Sequence, residues 1–516
     1  MDKSTSNKKN VSKLAINTIV LYVRLIITML IALFTSRVIL NALGVEDYGL
    51  YNVVGGVVTM LSVITSGLIT STQRYLSYEL GNGDILKLEK VFSMCFTTHI
   101  LLAIISFLAL ESIGLWIINN SLHIPEGRIE VANWIFQFSV ISFIFQIIVV
   151  PYSATVISYE RMSVYAYLGI FDAIAKLLIA YVIFISPVDK LFLYGFLLMG
   201  ISIIDFFLYK FICNKDYSET KYTLFYDSSI LKKILSFSSW TMLGQGAMVF
   251  CNQGLNVLIN MFYSVVANAA LGIAQQVNAA ITSFTSNFFT AFQPQITKSY
   301  SSGEMRYFTN LVYLSSKISY FMILIVAVPI MMNIEQILKI WLGIIPPNSA
   351  VFCCVFVLSS IVNSIGNPFW TAVFANGNIK RLQIISSILY LLCVIVAFIF
   401  LNNGSIAVVA LLCKFVTDIL LTILRINQAI KLVPNFSYNT VFSQVIIPIL
   451  YSSLFIFVSS YLCTSIMKTI ISRISLTVIN ELIMLCILYV LGLSKIEKDI
   501  LNQYVYTLVN KNTNNQ

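Results

Sequence analysis

The feature that most constrains this chain is the recurrence of apolar runs of about 20 residues, the length an α-helix needs to cross the hydrocarbon of a bilayer. The first extends from Leu14 to Leu40. It outruns any signal-peptide core and lacks a small-residue cleavage site, so it is read as a retained helix. Roughly fourteen such runs follow one another, the first centred near Ile27 and the last near Met484. Stretches such as Leu389 to Leu401 are apolar on every face, which excludes the alternation of a membrane β-barrel and leaves helices. Composition agrees: 58% of the 516 residues are hydrophobic and 10% charged, where an average globular chain carries about 25% charged residues. A water-soluble fold is excluded.

Lys and Arg outnumber Asp and Glu by 32 to 22, a net charge of +10. In a polytopic chain the placement of basic residues sets topology, so nucleic acid is not an expected partner. With the N-terminus in the cytoplasm, the outer segments hold only Arg37, Arg128, Lys190, Lys339, Lys468 and Arg473. Arg24, Lys176 and Lys414 fall within the membrane, and the remaining cations fall to inner segments. Both termini are therefore expected in the cytoplasm. The nine cysteines sit in or at the ends of apolar runs without metal-site spacing and read as packing residues. The longest inner connection organises the chain: 1–213 as an N-terminal six-helix lobe, 214–229 as a cytoplasmic linker, 230–431 as a C-terminal six-helix lobe, and 432–516 as two further helices with a cytoplasmic tail. No connection is long enough to fold as a soluble domain, so function falls to the helices.

The two lobes read as copies. A shift of 220 positions lays Gly44 to Glu89 over Ser264 to Thr309 without a gap, with Gly83-Asp84 facing Gly303-Glu304. A shift of 217 superposes Pro151 to Val156 on Pro368 to Val373. Copies with an even number of crossings share one orientation, which is the parallel-repeat plan of many transporters, where substrate binds between two bundles that rock about it.

Polar residues interrupt this apolar background in a periodic way. Arg24 lies near the middle of the first run, where a cation costs about 2.5–3.5 kcal/mol and ordinarily faces a bundle interior or a watery cavity. Asn17, Arg24, Thr28 and Thr35 share one helical face with it. The second helix carries Asn52, Thr59, Ser62, Ser66, Thr70 and Gln73, the seventh Gln245, Asn252, Asn256 and Asn260, and the eighth Gln275, Asn278, Thr282 and Thr285. Each stripe reads equally as interhelical hydrogen bonding or as a pore lining. Four stripes, two in each half, favour a polar cavity between the halves. Asp172 with Lys176, and Lys414 with Asp418, are pairs four residues apart that either neutralise themselves or supply an acid for exchanging H⁺ or Na⁺. Asp205 and Glu481 have no evident local partner, and His99 reads as a packing residue. There is no phosphate-binding loop, metal spacing, nucleophile motif or dinucleotide loop, so no catalytic residue and no cofactor is expected.

The segment Ser36 to Tyr51 approximates an Arg-x-Leu-x-x-Leu-Gly-x-x-x-Tyr-Gly-Leu pattern through Arg37, Leu40, Leu43, Gly44, Tyr48, Gly49 and Leu50. It resembles the segment joining the first two helices in the polysaccharide biosynthesis family of lipid-linked oligosaccharide flippases. Taken with the helix count and the two halves, the resemblance extends over nearly the whole chain. Gly44 and Gly49 are expected to permit a tight reversal there. The resemblance implies an all-α, MATE-like, V-shaped fold of the MOP superfamily. It also implies non-enzymatic movement of undecaprenyl-diphosphate-linked O-antigen or capsule repeat units, as in lipopolysaccharide assembly. The route is across the bacterial cytoplasmic membrane by alternating access, coupled to H⁺ or Na⁺, alongside glycan polymerase and glycosyltransferase partners. Arg24 is the counterpart for the diphosphate or an anionic sugar. Two rival readings stand beside it: a drug or metabolite exporter of the same superfamily, which would favour an acidic, aromatic-lined cavity, and a membrane-embedded glycan polymerase or ligase. Against the second, the longest outer segment, 119–130, offers only His123, Glu126, Arg128 and Glu130.

Overall fold

A computed structural model describes residues 3–59, 62–120, 124, 126–223, 225, 227–263, 265–342, 345–466, 470–493 and 498. Their regular structure is entirely helical. In chain order the helices are α1 (Lys3–Thr59), α2 (Ser62–Asn82), α3 (Ile85–Ala109), α4 (Leu115–Asn120), α5 (Ile129–Ser158), α6 (Met162–Ile185), α7 (Lys190–Asp216) and α8 (Ser228–Phe262). They continue as α9 (Val265–Ser301), α10 (Met305–Met332), α11 (Ile334–Leu342), α12 (Ser349–Asn376), α13 (Lys380–Asn402), α14 (Val408–Leu432), α15 (Tyr438–Val441), α16 (Ile447–Ile466) and α17 (Ile470–Ile487).

Among the described residues, 11 helices are long and apolar enough to cross a membrane. This is a multi-pass membrane protein. The long helices α2, α9 and α14, rich in amides, hydroxyls or charge, fall outside that set. Gly44 breaks α1 with φ 79 and ψ 173, a left-handed conformation that glycine adopts without a Cβ clash. Gly49, expected to share in that turn, instead continues the helix, because one positive-φ residue is enough to interrupt the hydrogen-bond ladder.

The chain divides into two compact units, Ile19–Gly246 and Ala247–Gln516, the latter joined by Met1–Thr18. The boundary falls inside α8, and the 214–229 connection lies within the first unit. In the N-terminal unit α5 is the central helix, packed against α2, α3, α6 and α7, with α6 on α7 and α2 on α3. Its apolar cores centre on Ile135, Phe136 and Val140 and on Phe92, Met94 and Tyr152, all nearly inaccessible.

In the C-terminal unit α12 takes the same central place, packed against α9, α10 and α14, with α13 on α14 and α9 on α10. Its core includes Ile259, Phe352 and Cys353. The helices that pair in one unit are thus the repeat counterparts of those that pair in the other. Backbone detail agrees. Gly83 and Gly303, at equivalent positions, both have φ 76. Pro151 and Pro368 both lie inside the central helix of their unit. Those two helices end at equivalent left-handed residues, Glu160 (φ 60) and Gly377 (φ 92). Ser264, the counterpart of Gly44, lies outside the described residues.

Candidate functional site

Each unit contains its own cluster of charged side chains on its long helices. In the N-terminal unit the cluster is built on α1, α6 and α7. The Arg24 guanidinium lies over the Tyr165 ring, 4.3 Å from its centroid. A Cβ on Gly169 would fall 2.3 Å from Arg24 Nε and 2.6 Å from Nη2, so the glycine is what lets the arginine lie against α6. Arg24 Nε is buried and has no hydrogen-bond partner among the described residues, so the stacked cation keeps an unused donor. Tyr209 of α7 lies within its electrostatic reach.

Further along α6, Lys176 Nζ donates to Asp172 Oδ2 at 2.8 Å. Asp205 of α7, left without a partner by sequence spacing, is brought close to both of these groups. Its Oδ1 is buried without a hydrogen bond. Tyr165, Gly169, Asp172 and Lys176 recur every third or fourth residue and so form one face of α6. That period was available in the sequence, but only the charged pair was singled out, and Tyr165, Gly169 and Tyr209 were missed.

The other residues of the Arg24 stripe are differently placed. Asn17 is buried and groups with the C-terminal unit. Thr28 Oγ1 donates to its own helix at Arg24 O (2.9 Å), as Thr35 does to Ile31 O (2.7 Å). The side chains of Asn52, Thr59 and Ser66 lie outside the described residues. Gln245 is half-buried.

In the C-terminal unit, Lys414 Nζ donates to Asp418 Oδ2 at 3.0 Å, and the two side chains are 14% and 1% exposed. The ammonium lies 5.8 Å from the Phe356 ring centroid, and Tyr390 is within electrostatic range. Two turns on from Asp418, Arg425 Nη1 donates to Asn367 Oδ1 (2.8 Å) and Asn363 Oδ1 (3.2 Å) of α12. The amide stripes partly satisfy one another. Gln275 Nε2 donates to Asn256 Oδ1 (3.2 Å), joining α9 to α8. Asn278 Oδ1 accepts from Ser360 Oγ of α12 (2.5 Å), and Thr282 Oγ1 donates to Asn278 O (2.9 Å). Asn252 is half-buried.

Two cations assigned to inner segments have protein partners, Arg74 buried and Arg425 half-buried. Arg425 is held by the α12 amides, and Arg74, 9% exposed, sits 4.7, 4.9 and 5.4 Å from the ring centroids of Tyr75, Tyr78 and Phe237. Hydropathy ends a helix at its first cation. A planar guanidinium, however, can stay inside when amide oxygens or aromatic faces receive it.

At the ends of α5 and α7 a separate cluster is structural. Arg128 pairs with Asp47, just beyond the Gly44 break (2.7 Å), and with Asp189. Asp189 also caps α7 by accepting from the Phe192 N–H (3.0 Å). Partial burial pushes its carboxyl up, but the Phe192 N–H and the Arg128 guanidinium outweigh burial and hold it below its ordinary value.

Two bundles of equivalent helices define a class: the fold is that of the MATE transporters. A MATE structure in the straight conformation superposes with a TM-score of 0.70 at 14% identity, covering 82% of this chain and 95% of that one. A multidrug resistance MATE family transporter of the MOP superfamily, outward-facing, gives 0.66 at 15% identity with the same coverage. A MOP superfamily transporter from Pyrococcus furiosus, described as having a binding pocket of reversed polarity that suggests a different function, gives 0.65 at 15% identity, again over 82% of this chain and 95% of that one. No protein-family profile and no curated protein matches the sequence. At these identities the likeness establishes the fold.

Proposed function

We propose that this protein is a flippase that carries lipid-linked oligosaccharide repeat units, joined through a diphosphate to undecaprenol, across the bacterial cytoplasmic membrane by alternating access. Both termini are on the cytoplasmic side in this reading. The observation that carries it is Arg24: a guanidinium in the first apolar run held against Tyr165 and Gly169, with a buried Nε that has no hydrogen-bond partner among the described residues. A planar guanidinium presenting paired donors is suited to phosphate oxygens, and an adjacent tyrosine ring is suited to a sugar face. The Ser36–Tyr51 segment, with its break at Gly44, supports the same reading. Among the structural neighbours, the Pyrococcus furiosus transporter supports the idea that pocket polarity varies within this fold. Asp172, Lys176 and Asp205 are the coupling group in the N-terminal unit, with Lys414 and Asp418 a second embedded pair. Gln245, Asn252, Asn256, Gln275, Asn278 and Thr282 contribute amide and hydroxyl groups matched to sugar hydroxyls.

A second reading, export of a cationic drug or metabolite, is favoured by one observation: the proximity of Asp172 and Asp205, two acids sharing one lysine. The two readings make opposite demands on charge. Arg24→Ala abolishes surface glycan export under the flippase reading while the protein stays in the membrane at normal level, and Arg24→Lys retains part of it. Normal glycan export by Arg24→Ala, with lost resistance to a cationic compound in Asp205→Asn, would favour the exporter.

A further inference from the structure

Glu481 of α17 belongs to neither embedded cluster. Both of its carboxylate oxygens are buried, and neither has a hydrogen-bond partner among the described residues. Its setting is fixed by contacts on either side. Asn333 Nδ2 donates to Thr477 Oγ1 (2.9 Å), Asn480 Nδ2 contacts Met332 Sδ (3.4 Å), and Gly492 packs on the Phe321 ring. These pairs run antiparallel along α10 and α17, and their register sets Glu481 beside the 329–332 turn of α10. Pro329 has no N–H, so the carbonyl of Ile325, one turn earlier in α10, loses its helical donor.

The elements packed against α17 are α10, α16 and the turn Leu488–Gly492. Their ionisable groups are few. On α10, Arg306 and Lys317 are the cations, and Lys317 lies twelve positions before Pro329, about 18 Å along the axis. Tyr313 and Tyr320 of α10 are committed to Thr440 and Ser453. On α16 there is no charged residue, only Tyr451, Tyr461 and Cys463. On α17 itself Arg473 is more than two turns away and Cys486 is exposed, and beyond it are Tyr489 and Lys498, the latter bonded to Val490 O (2.8 Å).

We propose that Glu481 is an intramembrane proton-binding site in the C-terminal helix pair. A carboxylate buried, as here, with no donor and no cation beside it among the described residues is far costlier ionised than neutral, and binding a proton needs no further ligand. Sodium, by contrast, needs several oxygens arranged around it. The neutral acid also carries an O–H donor of its own. Glu481 is a proton carrier of the kind that ion-coupled transport requires; that use rests on the transport reading above, whereas the site itself does not.

The test is modification of the full-length protein in lipid nanodiscs by dicyclohexylcarbodiimide, with peptide mapping. This apolar reagent adds to a protonated carboxyl, whose oxygen joins the central carbon while the proton passes to nitrogen. The proposal expects Glu481 to be modified, to be spared by a water-soluble carbodiimide, and to be indifferent to replacing choline with Na⁺. Raising the pH from one unit below to one unit above the site's midpoint lowers the reactive fraction about tenfold. Glu481→Gln, checked for a normal elution profile, loses this adduct and leaves other sites unchanged. Absence of modification at Glu481 at acidic and neutral pH overturns the proposal. Several-fold protection by Na⁺ also overturns it, since the site would then belong to sodium. None of these readouts involves cargo, so failure here and failure of the flippase reading are separable.

Discussion

Gly169→Ala tests whether Arg24 is held where its chemistry demands. The new methyl group would stand 2.3 Å from Arg24 Nε, and ordinary carbon contacts begin at about 3.5 Å, so the guanidinium must retreat by about 1 Å. Retreat lifts it from the Tyr165 ring, a contact of about 0.5–2 kcal/mol. Crowding of this kind costs about 1–3 kcal/mol in all, while alanine improves helix propensity over glycine by about 1 kcal/mol. The net expectation is a loss of about 1 kcal/mol in the native background. With Arg24→Ala already present, only the propensity remains, and the same Gly169→Ala change stabilises by about 1 kcal/mol. The sign therefore reverses, with a coupling of about 2 kcal/mol. Detergent-titration unfolding of the four proteins in mixed micelles measures the cycle. If Gly169→Ala shifts stability in the same direction and by the same amount in both backgrounds, the close approach is not what positions the arginine.

Three further outcomes are expected. Asp418→Asn or Lys414→Met alone strands a buried partner and costs about 3–5 kcal/mol, whereas Lys414→Met with Asp418→Leu falls near the native stability; single variants within about 1 kcal/mol of native would contradict a tight pair. Asp189 titrates below its ordinary value of 3.8 in the folded chain, so its contribution is complete above that value and is lost as pH falls through the lower folded one. Stability measured down an acid series should fall less steeply in Arg128→Ala than in the native protein, by under about 1 kcal/mol because the pair is partly exposed, and parallel profiles would refute the clamp. Gly83→Ala and Gly303→Ala each force a side chain into a left-handed turn, costing about 1 kcal/mol apiece, and a cost at only one of them would break the equivalence of the two repeats.

What the sequence disclosed follows from the range of its signals. Apolar length is a strong local signal, and it located the membrane helices. The duplication was visible in Gly83 against Gly303 and Pro151 against Pro368, because a positive φ and a missing N–H restrict the residue type independently of packing. Charge partners were legible only within one helix. Asp172 with Lys176 and Lys414 with Asp418 were found by their spacing. The approach of Asp205 to α6 and the grip of Asn363 and Asn367 on Arg425 depend on how helices pack, which periodicity does not encode. The aromatic and amide partners of Arg74 and Arg425 were hidden for the same reason, since hydropathy weighs a cation without its neighbours. The Gly44-Gly49 segment promised two flexible points where the backbone uses one. The amides of Asn256, Gln275 and Asn278 showed their period, but not that each shares a hydrogen bond with a neighbouring helix.

Purified protein in proteoliposomes, supplied with a fluorescent undecaprenyl-diphosphate oligosaccharide, provides the most direct measurement. The fraction of oligosaccharide reached by an added glycosidase reports its passage between leaflets. The account predicts passage with the native protein, little above empty vesicles with Arg24→Ala, and an intermediate rate with Arg24→Lys. Native-like passage through Arg24→Ala, in vesicles carrying equal amounts of folded protein, would contradict it.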